Sequence, residues 1–395
     1  MAASDVVVAG WARSAVVPHG GAFAQLQPHQ IAAPVVQDLL GRLGLVPEAI
    51  DAVVLGNAMG AGGNPARMVA LAAGLPERVA SCSVDTQCCA GLDAVSLAVG
   101  LLLSGQAQVV LAGGVEAWSR APIRQHRPLH PGEPAIPYER PAFAPDPARD
   151  PDMLVSAACH AIQAGWTRAQ QDEYTHRSHL LARANAAQLA AEIVPVAGVP
   201  HDVGPRDWAL SQLNRIPAAV KPRALGEDWA RRLAQGPDCS MGPVGISGKA
   251  DGAAFVLLAT AQACQRLRLP VRAAWVCGAS LGVAPETPLL AAEAAARAAL
   301  QRASLRDARA LAAVELHDAF AAQGLDFAQA LRLAEGQLNR RGGGLARGHP
   351  IGASGAVALV RLLSDLALDG VPGDLGLTAV AGAGGIGAAA IVRRC

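Results

Sequence analysis

Two residues in this chain have the type and setting for nucleophilic chemistry. Cys88 stands in SVDTQCCAGLDAV (83–95), where a short strand is followed at once by the sulfur, then small residues and an amphipathic helix. That order sets a thiol at a helix N-terminus, where unpaired N–H groups and the helix dipole favour thiolate. Small Ala90 and Gly91 leave room for another backbone or a ligand to come close. Cys89 shares the setting, so the segment alone leaves open which sulfur is the nucleophile, or whether both are core residues. His349 stands in NRRGGGLARGHPIGASGA (339–356), between a glycine-rich loop and the start of a helix. A histidine so placed can take the proton of a thiol, and Cys–His pairing is the usual route to an activated sulfur nucleophile.

The elements that must position these residues follow an α/β pattern. Val6–Ala9, Val53–Gly56, Val109–Ala112, Val256–Ala259, Ala273–Cys277, Val314–Leu316 and Leu377–Ala381 read as buried strands. Helical periods lie between them at Ile31–Leu43, Gly91–Leu103, Leu289–Arg302 and Gly355–Leu368. The order DAVVLGN (51–57), CCAGLDAVSLAVGLLLSG (88–105), QVVLAGG (108–114) returns as LAAVELHD (311–318), HPIGASGAVALVRLLSD (349–365), LGLTAVAGAGG (375–385). Each copy is strand, loop, helix, strand, so two similar halves would pack into one layered core, with His349 at the counterpart of Cys88. The expected division is 1–118 for the first half, completed by about 250–265, an excursion over 119–249, and 266–395 for the second half. Residues 119–150 are crowded with proline and charge and cannot form long regular elements. Residues 160–192 read as one helix, charged and glutamine-rich on one side, in an excursion lying over the core as a substrate-binding flap would.

Composition removes several classes of function. With 33 Lys+Arg against 32 Asp+Glu the net charge is +1, too balanced for a chain whose main partner is nucleic acid. Hydrophobic residues at 52% and charged ones at 16% exclude disorder. The longest apolar run, Ala94–Leu103, is short of the ~20 residues of a bilayer span, so no membrane span is expected. MAASDVVVAG lacks the basic start of a secretory signal, and eight cysteines show no C-x-x-C pair. A cytoplasmic protein with reduced thiols and no metal site is the expectation. Three motif-like stretches carry no chemistry. GAGGIG (382–387) has too little chain after it for a dinucleotide unit. GPVGISGK (242–249) has the wrong spacing for a phosphate loop, and GASGA lacks the spacing of a hydrolase elbow. Each reads as a tight turn or a close-packing glycine.

Taken in order, the blocks resemble the thiolase family over nearly the whole chain. GGNPARMVALAAGLP (62–76), CCAGLDA, AGGVEAWSRAP (112–122), GISGKADGAA (245–254), HDAF (317–320) and GGGLARGHPIGASGA (342–356) are similar to six family motifs in the right order. The resemblance puts Cys88, rather than Cys89, at the nucleophile position. It implies a five-layered αβαβα fold of two repeated halves with a loop domain, and a homodimer or homotetramer. It also implies coenzyme A thioesters as substrates, with no permanently bound cofactor. By that reading Cys88 attacks the keto carbon of a 3-ketoacyl-CoA, His349 takes its proton, and the acyl-cysteine is then resolved by CoA. The reverse direction is Claisen condensation, and both belong to fatty acid metabolism. One oxyanion hole would use the backbone N–H groups of Cys88 and Ala383, the other His349 with a water held by His317. Ser247 would lie beside the pantetheine and Arg223 near the phosphates, with Met153, Leu281 and Phe320 lining the acyl pocket.

Three departures stand out against the family pattern. The C-terminal C-x-G-x-G motif, whose cysteine moves protons in the carbon–carbon step, reads AGAGG (381–385), with Ala381 in its place. His317 replaces an asparagine, as in the sterol-carrier-protein branch, but Ala319 stands where some of that branch carry cysteine. The M-G-x-T-A-E segment has become MLVSAA (153–158). Loss of a general acid/base costs roughly two to four decades in rate. The leading expectation is thus a thiolase-type acyltransferase working through acyl-Cys88. Altered carbon–carbon chemistry, thioester hydrolysis, or a non-catalytic acyl-CoA-binding subunit are the alternatives.

Overall fold

The computed structural model describes residues 6–60 and 62–395. Nine strands carry the architecture: β1 Val6–Ser14, β2 Ala52–Gly56, β3 Ala80–Val84, β4 Val109–Ala117, β5 Ala250–Thr260, β6 Ala273–Gly282, β7 Ala313–His317, β8 Leu375–Gly382 and β9 Ile386–Arg394. They run β7-β8-β9-β6-β1-β5-β4-β2-β3 across one continuous sheet. The join is short, Val7 pairing with Ala274 and Val8 with Ala273, so two half-sheets fold over one another at the β1–β6 edge. The repeat seen in the sequence is visible in the pairing. Parallel β2–β4 is matched by parallel β7–β8, and antiparallel β4–β5 by antiparallel β8–β9. β5 follows the long excursion in sequence yet sits between β4 and β1.

Alternation along the strands sorts side chains into layers, because successive residues face opposite sides. Val6 and Val8 face a central core, Val7 and Ala9 an outer one; Ala52 and Val54 face the centre, Val53 and Leu55 the outside. Helices α1 (Pro28–Leu43) and α2 (Pro65–Ala72) cover the outside of the first half-sheet. Helices α3 (Ala90–Leu103) and α8 (Ser354–Asp369) fill the space between the half-sheets, and α6 (Ala291–Arg302) and α7 (Ala321–Ala330) cover the second. The result is the five-layered αβαβα fold. The helical stretch Ile351–Asp369 has the length and mean hydropathy of a membrane span, against the sequence expectation that no segment does. Its place between two sheets accounts for that, since a helix buried on all sides must be apolar all round.

Two elements differ from the sequence reading. The single helix expected over 160–192 is three: α4 (Met153–Ala164), α5 (Arg168–Ala184) and a short turn at Ala186–Ala190. Gly165 ends α4 at φ 76°, a left-handed conformation that costs glycine little, and Thr167 caps α5 by accepting from the Gln170 N–H. Strand β9 was not expected; its alanines carry no β signal. It nonetheless pairs along its length with both β6 and β8. GAGGIG is the tight turn into it, with Gly384 and Gly385 at φ 79° and 78°. Over residues 119–150 the longest strands are the three-residue pair Arg124–His126 and Ile136–Tyr138.

Candidate active site

The nucleophile loop joins β3 to α3 through a 3-10 turn at Gln87–Cys89. Gln87 is held at φ 57°, an uncommon setting for a residue with a side chain. Strained backbone of this kind clusters where a side chain has to be aimed. The matching loop of the second half, between β7 and α8, carries His349. Its Nε2 lies 3.1 Å from the Cys88 Sγ, and its Nδ1 2.8 Å from the Ser354 Oγ. The backbone holds the ring from two sides: the His349 N–H donates to the Gly248 carbonyl at 2.7 Å, and its carbonyl accepts from the Trp118 indole at 3.0 Å. The backbone N–H groups of Ala383 and of Cys88 itself face the sulfur. Cys89 turns away into the core, directed at the carbonyls of Val380 and Ile386. The geometry therefore selects Cys88 for a pairing with His349.

His317 ends β7 and lies flat against His349, ring centroids 4.5 Å apart at 24°. It is buried, and its Nε2 has no hydrogen-bond partner. Glycine is required at 344, because a Cβ there would fall 2.7 Å from the His317 Nδ1. Next in the chain, Asp318 accepts from the Tyr174 hydroxyl at 2.9 Å and from the Leu345 N–H, fixing the strand end against α5.

Burial decides the charge state. It pushes the Cys88 thiol up to about 12, against the weaker pull of the Ala383 and Cys88 N–H groups. It holds His349 down to about 4 and His317 well below the ordinary histidine range. This corrects the expectation of a resting thiolate: in a dry site the desolvation cost exceeds the helix-end attraction. Burial thus favours a neutral thiol beside a neutral imidazole at rest. Alkylation of Cys88 by iodoacetamide should then be slow at pH 7 and still climb about tenfold per pH unit between pH 8 and 10, where an ordinary thiol levels off. Peptide mass mapping separates Cys88 from exposed Cys82 and Cys395. Fast, pH-independent labelling would contradict the neutral pair.

Glu116, in β4, was not singled out from the sequence and yet ties the two halves of the site together. One carboxylate oxygen accepts from the Asn57 side chain at 2.9 Å; the other accepts from the Ala58 N–H at 2.9 Å and the Gly352 N–H at 3.0 Å. Burial pushes this carboxyl up to about 7, opposed by the N–H groups of Ala58, Gly352 and Met59. Only the G-G-x-E block hinted at it, since its partners come from distant segments. Glu116→Ala strands several buried donors and should cost about 3 kcal/mol or more of stability, read from a denaturant midpoint.

The other expected site residues are brought together in part. Phe320 and Met153 share one apolar cluster with Met241 and Ala319 under the excursion. Leu281, on β6, packs instead against the outer core of the second half, so it does not join them in one cluster. Ser247 is buried; its hydroxyl donates to the Gly344 carbonyl at 2.6 Å and its N–H to the Ala319 carbonyl at 2.8 Å, lacing the two loops together. Arg223 is exposed, in the turn Pro222–Ala224. Among the described residues no cluster of His, Cys, Asp and Glu could hold a metal ion.

Residues 6–214 match the family model "Thiolase, N-terminal domain" and residues 269–394 match "Thiolase, C-terminal domain". The protein VraB of Staphylococcus aureus (strain MRSA252) is 32% identical over 99% of this chain and 100% of its own length. The acetyl-CoA acetyltransferase of Cupriavidus necator (strain H16) is 31% identical over 99% and 100%. Among solved structures, that of the Bacillus anthracis acetyl-CoA acetyltransferase superposes with a TM-score of 0.86 at 29% identity, covering the whole of both chains. Two matched halves, end-to-end relatives and a shared fold make this chain an acyltransferase of the thiolase family.

Proposed function

We propose that the protein transfers acyl groups from coenzyme A thioesters through an acyl-Cys88 intermediate. The observation that carries this reading is the Cys88 Sγ 3.1 Å from the His349 Nε2, with the Ala383 N–H on the same sulfur. The sulfur attacks the thioester carbonyl and its proton passes to Nε2. The carbonyl oxygen gains negative charge and is met by the N–H groups of Cys88 and Ala383. The bond to the CoA sulfur breaks, and His349 returns the proton to that sulfur. Neutral starting groups suit this sequence, because charge develops only where donors already point. Ser354 supports the ring in either tautomer, since a hydroxyl both donates and accepts.

Arg223, exposed and on the excursion, is assigned to the CoA phosphates, and Met153 and Phe320 to the acyl chain. The relatives named for acetyl-CoA support a short acyl group. The direct test is isotope exchange between acetyl-CoA and labelled free CoA with no second acyl substrate. An acyl-enzyme predicts exchange at a rate comparable to turnover. Turnover of a full substrate pair without any exchange would refute it.

A further inference from the structure

We infer that the carbon nucleophile of this enzyme is made by decarboxylation: its second substrate is a 2-carboxyacyl thioester of the malonyl type, and His317 with His349 holds the resulting enolate. The inference rests on the acyl-Cys88 reading above. It starts from a missing group. Condensing a plain acyl thioester requires a base to pull a proton from the carbon next to the carbonyl. In the family motif that base is a cysteine; here the position is Ala381, a methyl group at the end of β8.

Among the described residues, the other buried acid/base groups of the site are already engaged. Cys89 faces the carbonyls of Val380 and Ile386, away from the pair, and its thiol is kept protonated by burial. Both Glu116 oxygens are occupied by Asn57, Ala58, Met59 and Gly352. Asp318 is taken up by Tyr174 and Leu345. What remains is two stacked imidazoles. The Nε2 of His317 is buried with no partner in the protein, an expensive condition unless a ligand atom meets it. Burial keeps both rings neutral, so each can offer one N–H without carrying charge. His349 presents that N–H at Nε2 when Ser354 donates to its Nδ1. When both rings present an N–H to a thioester oxygen, the site supplies two donors and neither ring is left to accept a carbon-bound proton. Decarboxylation is the route to an enolate that needs only the donors.

The balance is complete with groups already named. The bond between C2 and the free carboxylate breaks, CO2 departs, and the electron pair moves onto the thioester oxygen facing His317 and His349. C2 then bonds to the carbonyl carbon of acyl-Cys88. The carbon–sulfur bond breaks, and the Cys88 sulfur takes a proton from solvent by way of His349. The product is a 3-ketoacyl-CoA two carbons longer than the acyl group loaded. One proton is consumed and one CO2 released, with no oxidant or reductant.

The test gives the full-length protein acetyl-CoA together with malonyl-CoA labelled in its free carboxyl group. Labelled CO2, acetoacetyl-CoA and the acyl adduct on Cys88 are followed together by mass spectrometry. The expected result is CO2 released in step with acetoacetyl-CoA, at least a hundredfold faster than condensation of two acetyl-CoA molecules. His317→Asn should cut CO2 release at least a hundredfold, and Ala381→Cys should raise thiolysis of acetoacetyl-CoA by a similar factor. An acyl adduct on Cys88 without CO2, or acetyl-CoA condensing as fast as malonyl-CoA, overturns the inference and leaves the acyl-enzyme standing. An unchanged rate in His317→Asn removes His317 from the step. No adduct with any acyl-CoA defeats the acyl-enzyme itself, and the decarboxylative step falls with it.

Discussion

Cys88→Ala abolishes acyl uptake from acetyl-CoA, and His349→Ala slows it by roughly a thousandfold to ten-thousandfold. The two differ because they remove different things. Without the sulfur no covalent bond can form, and Cys89 cannot substitute because it points into the core. Without the imidazole the sulfur remains, but burial holds the thiol up to about 12 and the group paired with its proton is gone. The pair acts as a unit, so the double variant should be no worse than Cys88→Ala alone. Single-turnover acylation followed by mass spectrometry measures all three. A His349→Ala rate within tenfold of wild type would mean that the proton leaves by another path.

Gly56→Ala should be among the most destabilising single changes near the site, costing about 4 kcal/mol or more and yielding largely unfolded protein. A Cβ at Gly56 would stand 2.6 Å from the Gly352 carbonyl oxygen and closer still to the backbone of Ala90 and Gly91. None of these atoms can swing away as the tip of a side chain can. Gly114 has the same problem, its Cβ falling 2.8 Å from the Ala353 Cα. Here strands of the first half, the start of α3 and the His349 loop meet backbone to backbone. That close approach is what brings a cysteine and a histidine 261 residues apart into contact. By contrast Gly100→Ala on α3 meets nothing within 4 Å and should be neutral or slightly stabilising by helix propensity. Thermal midpoints of the three variants check the claim, and a Gly56→Ala protein as stable as wild type would contradict it.

Much of this was legible in the sequence because it depends on local pattern. Val53–Gly56 and Val109–Ala112 carry β-branched runs, and helical periods at Gly91–Leu103 and Gly355–Leu368 mark α3 and α8. Cys88 and His349 could be paired from the internal repeat before any distance was known. Strand β9 was hidden because Gly387 and its alanines are small for a packing reason: a side chain at 387 would run into the backbone of Ala291 on α6. The break at Gly165 was readable from Thr167 and Gln170 but was masked by the charged and glutamine-rich pattern that follows it. The charge state of Cys88 was not readable at all. A helix start argues for thiolate, and only the assembled layers reveal that burial wins. Glu116 escaped for the same reason, since one carboxylate collects partners from β2's following loop and from the turn leading into α8.

The central claim is that Cys88 carries the acyl group, and the most direct test is to find the group there. The protein is exposed to acetyl-CoA, stopped in acid, digested, and the peptide spanning Ser83–Ala94 is sequenced by tandem mass spectrometry. The account predicts an acetyl group on Cys88, absent from Cys89 and absent altogether in Cys88→Ala. An acetyl group on another residue, or none on a folded protein that turns over acetyl-CoA, would contradict it.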